Sequence, residues 1–197
     1  MGTIFGVDYG SKLSGNTVIA IYQEPNIFFM EVEPKVDADQ FIRNAVAHFK
    51  PELMFIDAPL SLPGVYRNLK GFEDYHFRLA DRETRAMSPM FLGGLAARAI
   101  ELKNSLESGS LQILETYPKL MAQRFDLKTL GYKGTKAALK DCIAKVRSCM
   151  RPSIKINSND ILSWHHLDAL LALMSALSYH CGDYRSFGDE SEGLIYI

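Results

Sequence analysis

Three short apolar runs in this chain end on an acid: Ile4-Phe5-Gly6-Val7-Asp8, Leu53-Met54-Phe55-Ile56-Asp57 and Leu111-Gln112-Ile113-Leu114-Glu115. Runs of this length read as strands, and the near-continuous apolar character of the second suits a strand covered on both faces. In open α/β sheets, ligands bind beyond the carboxyl ends of parallel strands, and neighbouring strands lie about 4.8 Å apart. Three strand-final carboxylates can therefore converge on one place. Clustered like charges need protons or a cation, and hard divalent ions such as Mg²⁺ or Mn²⁺ prefer carboxylate oxygens. The spacing predicts an acidic metal site built from Asp8, Asp57 and Glu115, with Gly10 just after the first strand freeing the backbone to approach a ligand. The plainer alternatives are a turn residue before Pro59 for Asp57 and an exposed strand end for Glu115.

The remaining patterns fit the same layered architecture. Residues 16–22 and 27–33 are strand-like and joined at Glu24-Pro25-Asn26, which predicts a hairpin. Helical periodicity covers 37–49, 75–86, 91–107, 118–125, 135–149 and 160–180, the stretch 60–75 is irregular and long enough to be a lid or binding loop, and 193–197 reads as a final edge strand. The order predicts a mixed α/β fold. With 197 residues, 47% of them hydrophobic, and neither a repeat nor a long linker, one domain spanning 1–197 is expected.

A fourth acid lies in the last helical pattern. In Ser163-Trp164-His165-His166-Leu167-Asp168 and the apolar residues after it, a buried lone carboxylate is costly, so Asp168 calls for a metal or a polar partner, unless it caps the helix or faces solvent. His165 and His166 beside it are candidate metal ligands or proton carriers, and adjacent helical residues point apart, so at most one faces the site.

Basic residues supply candidate phosphate contacts. Arg78, Arg82 and Arg85 are spaced to share a helix face, with Arg82 and Arg85 as substrate-binding candidates; the alternative is a solvated face in which Asp81 and Glu83 pair with them. Lys133 and Lys136 lie where a glycine loop enters a helix that Thr135 can cap, or in an ordinary surface loop.

Composition narrows the classes. Twenty-two Lys and Arg against 23 Asp and Glu, a net charge of −1, give no global field for a polyanion. No apolar run is long enough to span a bilayer, and no membrane partner is expected. Three cysteines with no CxxC pair and no secretory leader predict reduced thiols in the cytoplasm.

The segments VDYGSKLSG, FIDAPLSLPG, RLADRETR, ETYPKL, GTKAALKD, HHLDALLALMSA and EGLIYI resemble, in order and through nearly the whole chain, the family catalogued as domain of unknown function 429, which is described as predicted nucleases of ribonuclease H-like fold. The resemblance implies a five-stranded sheet ordered 3-2-1-4-5 with strand two antiparallel, helices on both faces, and Asp8, Asp57, Glu115 and Asp168 as catalytic, metal-binding acids. The function expected is a divalent-metal-dependent phosphodiester hydrolase or nuclease acting on nucleic acid, a short oligonucleotide or a nucleotide-like substrate. The alternatives are a nucleotide-binding actin-like ATPase or kinase domain, for which Asp-Tyr-Gly at 8–10 fits the first phosphate loop but Asp57-Ala58 lacks the glycine of the second, and a non-catalytic nucleic-acid or nucleotide-binding domain.

Overall fold

The computed structural model describes residues 2–197. Its centre is an eight-stranded sheet in the order β6-β3-β2-β1-β4-β5-β8-β7. The strands are β1 (Ile4–Asp8), β2 (Val18–Gln23), β3 (Asn26–Glu31), β4 (Leu53–Asp57), β5 (Gln112–Thr116), β6 (Lys155–Ile156), β7 (Ser186–Asp189) and β8 (Gly193–Tyr196). β2 is antiparallel to β1 and β3, and β7 is antiparallel to β8; the remaining pairs are parallel. The fold is α/β with a mixed sheet. The sheet has eight strands rather than the five expected; β3, β2, β1, β4 and β5 are adjacent in that order within it, with β6 beyond β3 and β8 and β7 beyond β5. The tail strand β8 is not an edge. It lies between β5 and the short β7, which has a glycine and little apolar periodicity and gave no strand signal.

Helices cover both faces because successive residues of a buried strand point to opposite sides. Phe5, Val7, Met54, Ile56 and Ile113 pack on one side with Ile42 and Ala45 of α1 (Ala38–Phe49) and, beyond the short α2 (Leu79–Thr84) and α3 (Pro89–Leu92), Ala99 and Leu102 of α4 (Gly94–Leu106). Ile4, Leu53 and Phe55 face the other side, against α5 (Pro118–Arg124), α6 (Lys136–Cys149) and α7 (Trp164–His180). Asp37 caps α1 through the N–H groups of Asp39 and Gln40, and Thr135 caps α6 as expected. The pattern 91–107 is broken at Gly93, whose φ of 51° ends α3 before α4 begins. No helix among the described residues is long and apolar enough to cross a membrane.

The central helix α7 is buried continuously from His166 to Leu177. It lies directly on β1 because Gly6 has no side chain: a Cβ there would stand 2.1 Å from the Leu173 nitrogen and 2.5 Å from the Ala169 oxygen. Both obstacles are backbone, so neither can swing away. Gly6→Ala is expected to cost about 3 kcal/mol through overpacking, lowering Tm by roughly 10 °C for a chain of this size. Thermal melts of the two proteins check this; an unchanged Tm would mean that α7 has room to move.

Candidate active site

The parallel register of β1 and β4 sets Asp8 directly beside Asp57. Both continue the alternation that points Ile4, Leu53 and Phe55 toward α7, so the two carboxylates share its face of the sheet. Asp168, in the second turn of α7 and 2% exposed, completes a three-acid group. The acids differ in their partners. Asp8 Oδ2 lies 2.7 Å from His165 Nδ1. Asp168 accepts hydrogen bonds from the Tyr132 hydroxyl and, at 2.7 Å, from Lys133 Nζ. Among the described residues, the partly exposed Asp57 carboxylate accepts no hydrogen bond and makes no ion pair.

The electrostatics follow from this arrangement. Burial, then the negative charges of Asp8 and Asp168, raise the Asp57 carboxyl well above the ordinary range. Burial also raises Asp168, against the pull of Lys133. Although burial opposes its charge, Lys133 is held above its usual value, with Asp168 as the main cause and Asp57 and Asp8 behind it. The Asp8 hydrogen bond raises His165. Lys133 is one of few non-glycine residues here with a positive φ, 62°, a conformation that is uncommon for a residue with a side chain. Of the adjacent histidines, His165 faces Asp8, while His166 is buried beside Ser163 Oγ at 2.9 Å and against the Phe29 ring.

Glu115 does not join this group. It pairs across the sheet with Ile56 rather than Asp57, so it points to the opposite face. There it meets Arg78, which is fully buried. Arg78 donates to both Glu115 oxygens at 2.6 and 2.7 Å, to Asp81 at 2.6 and 3.2 Å and to Ser61 Oγ at 2.9 Å, and Leu60 N–H donates to Glu115 at 2.8 Å. The irregular stretch 60–75 is fastened beside this cluster, with Gly64 N–H donating to Glu192 at 2.7 Å and Leu79 N–H to the other Glu192 oxygen at 2.6 Å.

The three arginines do not share a face either. α2 is only six residues long, Arg78 precedes it and Arg85 follows it in a left-handed conformation. Arg82 is exposed and pairs with Asp74; Arg85 is exposed too. Neither lines a cavity with the acids. Lys136 is exposed at the start of α6 and makes no ion pair among the described residues. Only Lys133 of the basic candidates reaches the acidic group.

Tyr132 emerges as a site residue that the sequence pattern did not single out, although it lies in the same Gly131–Gly134 loop as Lys133. Beside it opens a cavity of about 450 Å³ lined by Asp57, Tyr117, Pro118, Lys119, Ala122, Gln123, Lys128, Tyr132 and Lys133. The loop after β1 is held by a separate group, in which Arg98 forks onto Asp39 at 2.7 and 2.9 Å, stacks 4.9 Å from the Tyr9 ring centre and approaches the Gly10 carbonyl at 3.4 Å.

As a donor set, Asp8, Asp57 and Asp168 supply only carboxylate oxygens, with Asp57 unpartnered, and this chemistry fits Mg²⁺ or Mn²⁺. Among the described residues, however, no group of three or more His, Cys, Asp or Glu side chains is placed so that it could hold a metal ion. Lys133 supplies positive charge to the same acids. No protein-family model matches the chain, and no curated protein matches it.

Two outcomes follow from these partners. Arg78→Leu should lower stability by about 3–5 kcal/mol, because Glu115 and Asp81 are left buried without their cation; urea denaturation measures it, and a loss under 1 kcal/mol would overturn the assignment. For Asp57 the folded carboxyl titrates above the unfolded one, so in EDTA the parent loses stability as pH rises from the unfolded value near 4 through the raised folded value. Asp57→Asn removes that loss. Its Tm should match the parent's near pH 4 and exceed it at neutral pH, and a lower Tm at neutral pH would contradict the repulsion described above.

Proposed function

We propose that this chain is a divalent-metal-dependent phosphodiester hydrolase of ribonuclease H-like fold, as the resemblance to the domain of unknown function 429 family implies. The observation that carries the proposal is the in-register pair Asp8 and Asp57 with Asp168 on the same face of the sheet. The contiguous strand order 3-2-1-4-5 with an antiparallel second strand supports the fold assignment.

Asp8, Asp57 and Asp168 are the residues that would hold Mg²⁺ or Mn²⁺. When bound, such an ion polarises a phosphoryl oxygen and lowers the pKa of water. In the overall reaction, the water oxygen bonds to phosphorus, the P–O ester bond breaks, and a proton passes from the water to the departing alkoxide, giving a phosphate monoester and an alcohol. The chain's own groups serve this exchange. Lys133 offsets charge on the acids and stands where it meets an anionic phosphoryl group. His165 keeps Nδ1 on Asp8 while its side chain remains 45% exposed, which leaves the other ring nitrogen free to carry a proton. Glu115 has no part in this set.

Incubation with Mn²⁺ and a panel of single-stranded, duplex and dinucleotide phosphodiesters, alongside ATP, tests the proposal. Metal-dependent cleavage of a phosphodiester is expected, and Asp8→Asn or Asp57→Asn should reduce it by a factor on the order of 10² or more, since even residues behind a metal ligand cost about 10–100-fold. Circular dichroism should remain that of the parent. Hydrolysis of ATP alone would favour the actin-like alternative, and nucleotide binding without turnover the non-catalytic one. Full activity in either variant would exclude these acids.

A further inference from the structure

The cavity beside Asp57 carries information about what the site accepts. Its wall is largely apolar, made by Tyr117, Pro118, Ala122 and Tyr132, and its rim carries Lys119, Lys128 and Lys133. Lys133 is paired with Asp168. Lys119 and Lys128 are exposed and make no ion pair among the described residues, although Lys119 Nζ lies 6.0 Å from the Tyr117 ring centre. Two uncommitted cations therefore converge on an apolar recess that opens beside an unpartnered carboxylate.

The size and charge are specific. About 450 Å³ is in the range of small-ligand pockets rather than of an extended polynucleotide groove. The basic charge is local to this recess in a chain whose net charge is −1. A ligand that matches must be compact, partly apolar or aromatic, and anionic at its edge. A single nucleotide has those properties, with a base for the tyrosine and proline wall and a phosphate for the lysines.

Building on the hydrolase assignment, we propose that this cavity binds the terminal nucleotide unit of the substrate, with its phosphate at Lys119 and Lys128 and the next phosphodiester at Asp57. The enzyme then requires an end. A dinucleotide that carries a terminal phosphate and the phosphorylated end of a linear single strand present the same chemistry, whereas a closed circular strand presents none.

Binding can be read without turnover. Trp164 is the sole tryptophan of the chain and packs edge-on against Tyr132, with ring centres 5.6 Å apart. Titrating the full chain with adenosine 5′-monophosphate in EDTA should change Trp164 fluorescence saturably, adenosine should bind at least tenfold more weakly, and the Lys119→Gln/Lys128→Gln variant should lose tenfold or more in nucleotide affinity and most of its salt dependence. In parallel, cleavage with Mn²⁺ is compared on a terminally phosphorylated dinucleotide, a terminally phosphorylated linear single strand and its circular form. Turnover of the dinucleotide, of the linear strand from its end, or of both, with the circle intact, supports the proposal and tells the two sources apart. Equal cleavage of circle and linear strand, or equal nucleotide affinity in parent and lysine variant, overturns it while leaving the hydrolase assignment standing. Saturable nucleotide binding that depends on the lysines, with no phosphodiester cleaved, keeps the pocket and removes the hydrolase.

Discussion

Two carboxylates on neighbouring parallel strands repel each other, and the in-register pairing of β1 with β4 allows Asp8 and Asp57 no distance. Much of the surrounding structure answers that constraint. The first turns of α7 bring His165 to Asp8 and Asp168 into the group, and the loop before α6 brings Tyr132 and Lys133 onto Asp168. Among the described residues Asp57 alone of the three acids has no hydrogen bond or ion pair, and burial together with its neighbours' charge raises its carboxyl well above the ordinary range.

The opposite face of the sheet solves a similar problem in another way. Arg78, buried completely, forks onto Glu115 and Asp81, while Glu192 accepts backbone N–H groups from Gly64 and Leu79. A buried ion cluster of this kind contributes position more than stability, because desolvation offsets much of the attraction between its charges. Here it ties the connection after β4 to the end of β5 and to the turn before β8. The strand ends that carry the acids are thereby held from behind. One face of the sheet end is closed by ion pairs around Arg78, and the other carries Asp8, Asp57 and Asp168.

Much of this was legible in the residues. Strand and helix periodicity located most elements, and the apolar runs ending in Asp8 and Asp57 marked the site because each is buried on both faces and stops on a charge. Glu115 misled because its run ends in the same way. Facing depends on register, and Leu53 pairs with Gln112 rather than Leu111, a one-residue offset that turns the last side chain to the other face. No local pattern encodes that offset. The arginines misled for a related reason: a spacing of three or four gives a shared face only within a helix, and α2 is too short to contain Arg78 and Arg85. The pairing of Lys133 with Asp168 depends on contact between residues 35 apart in sequence, which periodicity does not report.

The position of α7 also bears on how the chain reaches its native state. β1 and β4 belong to the first third of the sequence, whereas the helix that covers them, and every partner seen for their acids, comes from residues beyond 130. β8, which separates β5 from β7, comes later still. Closing contacts over such separations is entropically costly and slows folding. Until α7 docks, a helix apolar almost all round has nothing to cover it, and the sheet face that bears both aspartates is open to water. Burial of the core face that α7 covers and assembly of the acidic group therefore depend on the same docking. The site is thus made by distant parts of the chain, β1, β4, the loop before α6 and α7, rather than by one local segment.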